Sequence, residues 1–162
     1  MSPIAERLRA LPQLPWLVLD ALEEHIAVIA VDGTIVLVNR AWREFMRENG
    51  GSPQCCDVGA NYFAVCWQAV QVAGDPDARR AYDGLRSVLN GERVDFAFEY
   101  PCHSPQQRRW FLMHATALRH QQELIGAVVL HLNITRRREL EEDLETARRE
   151  LTEALFRART ES

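Results

Sequence analysis

Lysine is absent: all 19 basic residues are arginine. The chain therefore hosts no P-loop lysine, no kinase-type ATP lysine and no Schiff base to a carbonyl cofactor. No apolar run approaches the roughly 18–20 residues a membrane helix needs. Glu6 and Arg9 interrupt the N-terminal apolar stretch, which argues against a signal peptide. Excess positive charge is missing too. Against 19 basic residues stand 23 acidic ones, a net charge of −4, so there is no domain-wide basic footprint for nucleic acid. Cysteine is sparse. Cys55, Cys56, Cys66 and Cys102 form no CxxC pair, and Cys102-His103 is the only other candidate to complete a zinc set. Free structural thiols are the simpler reading, with no metal expected. No nucleophile–base–acid grouping is visible, so the sequence points away from an enzyme.

Across the 162 residues, 47% are hydrophobic and 26% charged, as in one soluble globular domain with extensions. Three regions separate by composition. Residues 1–24 hold two short apolar helical patterns broken by Pro12 and Pro15, with Ile4, Leu8 and Leu11 on one face of the first. They form an N-terminal helical cap.

Residues 25–134 read as a mixed α+β domain. Ile26–Val31 and Thr34–Val38 are β-branched runs joined by Asp32-Gly33, a strong hairpin signal. Asn39 stands where a helix N-cap belongs, and Asn49-Gly50-Gly51-Ser52-Pro53 ends that helix. Residues 54–75 show no clear period. Asp75-Pro76-Asp77 opens a second helix that closes at Asn90-Gly91. The spans Arg93–Tyr100, Arg109–Leu118 and Leu124–Leu132 are strand patterns, and their short links imply an antiparallel meander.

Residues 135–162 predict one long charged helix. Between Ile134 and Ser162 there is neither Gly nor Pro, and Leu140, Leu144, Ala147, Leu151, Ala154 and Ala158 repeat at heptad spacing. A weak parallel dimeric coiled coil is favoured over a solvated helix lying on its own domain. The seam runs on to Ser162 without a cap, which favours a piece of a longer protein over a free-standing one.

The order of elements, taken with Val36-Leu37-Val38-Asn39-Arg40-Ala41, Arg109-Trp110-Phe111-Leu112-Met113 and Asn133-Ile134-Thr135, resembles a PAS sensory domain over roughly residues 26–140. Val36-Leu37-Val38-Asn39-Arg40-Ala41 resembles the family's second-strand motif ending in Asn-x-Ala. Arg109-Trp110-Phe111-Leu112-Met113 resembles its Trp-bearing strand. Asn133-Ile134-Thr135 resembles the Asp-Ile-Thr motif that links the core to a signalling helix, with Asn in place of Asp. The resemblance implies a five-stranded antiparallel sheet with short helices on one face, a small internal cavity, a homodimer, and signal relay through Asn133, Ile134 and Thr135. It further implies a cytoplasmic module controlling an output domain of histidine-kinase, nucleotide-cyclase or chemoreceptor type, as in two-component systems. The alternative is a ligand-free dimerisation module. Arg136, Arg137 and Arg138 in the first turn oppose the helix dipole, and are either solvated or docked on an acidic partner such as Asp32.

The same comparison bears on cofactors. Gly59-Ala60-Asn61-Tyr62-Phe63 sets Tyr62 where light-sensing relatives carry the flavin-reactive cysteine, which argues against a flavin photoadduct. Residues 55–91 contain no histidine, which argues against haem unless His131, His114 or a thiolate served as the axial ligand. A small organic ligand remains. The resemblance turns His131 towards the cavity, where it meets either a ligand or, more simply, a core neighbour. Glu99 is turned inward by the same comparison, yet it alternates with Phe96, Phe98 and Tyr100, which make the better core face. Phe111, Met113, Ala115 and Val129 complete the candidate lining.

Overall fold

The computed structural model describes residues 3–52, 56–104 and 106–160. Its elements run α1 (Pro3–Arg9), α2 (Leu14–Ala21), β1 (His25–Ala30), β2 (Ile35–Val38), α3 (Arg40–Glu48), α4 (Tyr62–Ala73), α5 (Pro76–Leu89), β3 (Asp95–Pro101), β4 (Trp110–His120), β5 (Glu123–Asn133) and α6 (Thr135–Thr160). Pro53, Cys55 and Ser162, which the sequence reading used, lie outside the described residues. The chain divides into two compact units, one of Met1–Tyr100 with Leu112–Leu132 and the other of Pro101–Phe111 with Asn133–Ser162. No helix among the described residues is long and apolar enough to cross a membrane.

The five strands form one antiparallel sheet in the order β2-β1-β5-β4-β3. β1 pairs with β5 so that His25 faces His131, Ala27 faces Val129 and Ile29 faces Ala127. Alternation carries this set onto one face of the sheet. Ala27, Ile29, Ala127 and Val129 are fully buried there, packed with Leu85 and Val88 of α5 and with Met113 and Ala115 of β4. Gly84 lets α5 approach the sheet closely, since a Cβ there would fall 2.1 Å from the Phe96 ring.

Local chemistry explains the boundaries. Asp32 accepts from the Thr34 N–H at 2.9 Å, and Gly33 takes φ +88, so the first hairpin turns where its Asp-Gly stands. The second tight turn is less expected. Gln121 and Gln122 both hold positive φ, 47 and 71. That is the left-handed region favoured by Asn and Gly, and it costs glutamine roughly 1–2 kcal/mol per residue. Asn61 caps α4 by accepting from the Ala64 N–H, and Gly74 ends it in the left-handed conformation. Asp75 caps α5 by accepting from the N–H groups of Asp77 and Ala78.

Asn39 does more than cap. Its Oδ1 accepts from the N–H groups of Trp42 and Ile26, both at 3.0 Å, while its amide nitrogen donates to the carbonyls of Leu19 and Glu24. The side chain is 1% exposed. One amide thus ties α2, the entry to β1 and the start of α3 together. A carboxylate could accept here but could not donate, which explains asparagine at this position.

Candidate functional site

A cavity of about 190 Å³ opens between the sheet and α3–α4, within the first unit. β1 and β5 contribute His25 and His131 from paired positions. β3 contributes Tyr100, α3 contributes Trp42, Phe45 and Met46, and α4 contributes Tyr62, Val65 and Cys66. Ile35 and Cys56 complete the wall.

Its polar groups form a chain centred on His131. The Tyr100 hydroxyl lies 2.6 Å from Nδ1, and the Tyr62 hydroxyl 3.4 Å from Nε2. A neutral imidazole has one N–H and one lone pair, so it donates to one tyrosine and accepts from the other. The Trp42 ring meets the imidazole at 5.5 Å in an edge arrangement, and its own N–H donates to the Cys56 carbonyl at 2.8 Å. The His25 ring leans against Phe45, with centroids 4.4 Å apart and planes 32° from parallel.

Burial governs the charge of this wall. Enclosure drives the His131 pKa down to about 3, assisted by the nearby His25. Enclosure likewise pushes the Cys66 thiol up to about 12, against an opposing hydrogen bond with Tyr62. The Tyr62 hydroxyl is raised well above its ordinary value by the same burial. Near neutral pH these three groups are therefore uncharged.

The six sequence candidates separate on placement. His131 lies in the cavity wall. Val129, Met113 and Ala115 sit in the packed core cluster without reaching the cavity, and Phe111 is buried in the second unit. Glu99 is half-buried, while Phe98 beside it joins the core cluster, with Phe96 and Tyr100 packed against that cluster. Two residues central to the site, Tyr62 and Tyr100, escaped the sequence reading as ligand candidates. A signal for Tyr100 existed. A hydroxyl ending an inward Phe-x-Phe-x-Tyr row needs a polar partner, and His131 was available.

The second unit is organised around Trp110. The Ile134 N–H donates to the Trp110 carbonyl at 2.8 Å, and the Trp110 N–H donates to Thr135 Oγ1 at 3.0 Å. Asn133 Oδ1 accepts from both the N–H and the hydroxyl of Thr135, at 3.0 and 2.6 Å. Arg138 stacks over the Trp110 ring at 4.8 Å. Arg136 and Arg137 pair with Glu139 and Glu141 along the helix. On α6 the seam leucines are exposed, Leu140 by 51%, Leu144 by 71% and Leu151 by 62%.

The family profile described as PAS fold matches residues 19–139, and the chain belongs to that family. It is also 44% identical over 125 residues to a Rhodobacter capsulatus protein described as an uncharacterized 104.1 kDa protein in the hypE 3′ region, a match covering 76% of this chain. The chain spans only 13% of that relative's length. Among solved structures it resembles the PAS domain of BvgS from Bordetella pertussis, with TM-score 0.54 and 18% identity, over 85% of this chain and 96% of that one. It also resembles an RNA-binding light-oxygen-voltage receptor, with TM-score 0.57 and 22% identity, over 86% of this chain and 37% of that one. The structural likenesses are likenesses of fold.

Proposed function

We propose that this PAS domain is the sensory module of a longer signalling protein. In this reading residues 25–134 hold a small molecule, and residues 1–24 cap the domain. Residues 135–162 pair with a second copy and relay the signal to an output domain such as a histidine kinase, nucleotide cyclase or chemoreceptor. The module itself carries no catalysis. The observation that carries the reading is the cavity itself, a space with a hydrogen-bonded Tyr–His–Tyr chain in its wall. A core built only for stability would fill such a space, because unfilled volume costs about 24 cal/mol per Å³.

Four further features support it. The relative of 104.1 kDa is far longer than this chain, which fits a module built into a larger protein. The seam on α6 leaves leucines in solvent that a second helix would cover. Asn133, Ile134 and Thr135 hold the start of α6 to Trp110 by hydrogen bonds, which suits a relay point. The thiols of Cys66 and Cys102, both reduced, suit the reducing cytoplasm.

Native and denaturing mass spectra of the purified chain test the reading together. A dimer carrying extra mass that is lost on denaturation is the expected result. A monomer without extra mass overturns it. A dimer without extra mass, in protein that binds no added small molecule, replaces it with a ligand-free dimerisation module.

A further inference from the structure

We propose that the cavity takes an uncharged single-ring aromatic molecule bearing one hydroxyl or amide group. The inference rests on the sensory reading above and narrows it to a ligand class.

Size sets the first limit. A cavity of about 150 Å³ lined by apolar side chains holds benzene, whereas drug-sized ligands occupy roughly 300–1,000 Å³. At about 190 Å³ this space fits one ring and a short substituent. A flavin or a haem exceeds it.

Charge sets the second. Among the described residues, none that lines the cavity is Asp, Glu or Arg. The titratable members are His25, His131, Cys56, Cys66, Tyr62 and Tyr100. His131 is held neutral far below neutral pH, and Tyr62 and Cys66 are held protonated far above it. A carboxylate entering here would leave water without meeting a counter-ion, and an ammonium would fare no better.

Shape and polarity set the third. Six of the lining side chains are rings: His25, Trp42, Phe45, Tyr62, Tyr100 and His131. They meet one another both tilted and edge-on, arrangements that a further aromatic ring joins favourably. The polar chain is uneven. Tyr100 holds His131 tightly at 2.6 Å, while the Tyr62 hydroxyl stands off at 3.4 Å, the outer limit of a hydrogen bond. A ligand hydroxyl or amide set beside that long contact reaches both Tyr62 and Nε2 and closes the chain. Its ring then lies against Trp42, Phe45 and the soft side chains of Met46 and Cys66.

Phenol, toluene and benzoate share one ring and differ in polarity and charge, so they are the probes. Affinities measured by ligand-observed NMR on the full chain should rank phenol first, toluene about tenfold weaker, and benzoate at least a hundredfold weaker. The near-isosteric Tyr62→Phe should bring phenol down to the toluene level while leaving toluene unchanged. Benzoate binding as well as phenol overturns the inference, as does a phenol-to-toluene ratio unmoved in Tyr62→Phe. If none of the three binds but the purified protein carries a larger or charged molecule, the ligand class falls and the sensory reading stands. If none binds and nothing is carried, both fall.

Discussion

At the scale of single residues, His131 concentrates the chemistry of the site. Its folded pKa of about 3 lies below the ordinary 6.5. Below pH 6.5 the unfolded chain therefore binds a proton that the native state refuses, and stability falls as pH falls towards 3. Above pH 6.5 the effect vanishes. Lowering the pH from 7.5 to 5 should cost the protein at most about 2 kcal/mol more than it costs His131→Gln. Urea unfolding of both proteins at the two pH values measures this, and equal losses would contradict the enclosure of the imidazole. The sequence points to His131 because strand alternation sets it on the inward face. It does not mark Tyr62 as a ligand contact, because Tyr62 lies in a segment with no readable period and the family resemblance uses it only to argue against a flavin photoadduct. It hides Tyr100 among phenylalanines, since an apolar row looks the same whether it ends in core or in a hydrogen bond. Val129, Met113 and Ala115 share the inward face but reach only the packed cluster, because alternation fixes a side chain's face and not how far along the strand a cavity extends.

At the scale of elements, the junction at Asn39 holds α2, β1 and α3 in one arrangement. Asn39→Ala removes the helix cap and leaves the Ile26 N–H and two carbonyls without their partner. A loss of about 2–4 kcal/mol follows, read as a lower urea midpoint with an unchanged slope. Asn39→Asp should rescue little, because a carboxylate turns acceptors against the carbonyls of Leu19 and Glu24. The cap was legible from local sequence. The two long-range donations were not, because nothing local links residue 39 to residues 19 and 24. Element α4 shows a complementary case. Its sequence, YFAVCWQAVQVA, is apolar almost all round, so no face stands out to betray a helical period. The sequence suggests no helix there, although Asn61 and Gly74 cap its two ends. The Gln121-Gln122 turn lacks the Asn-Gly signal altogether, and only the short link between the strand patterns marked it.

At the scale of the whole molecule, the proposed dimer is the property most open to test. Leu144 and Leu151 are exposed on the single chain, so Leu144→Asp or Leu151→Asp should leave the fold of one chain intact. Each should weaken self-association at least tenfold if α6 pairs through that seam. Analytical ultracentrifugation with circular dichroism as the control measures both. Wild-type sedimentation in both variants would move the dimer contact elsewhere. The arrangement of the cavity wall has one more consequence. Of the four tryptophans, Trp16 and Trp67 are 55% and 43% exposed, whereas Trp42 is 7% exposed and stands edge-on to His131. The indole that borders the space is thus also the one most shielded from water. The molecule carries its own optical gauge: a guest that arrives or departs changes the emission of Trp42, against the steadier glow of indoles that already face the solvent.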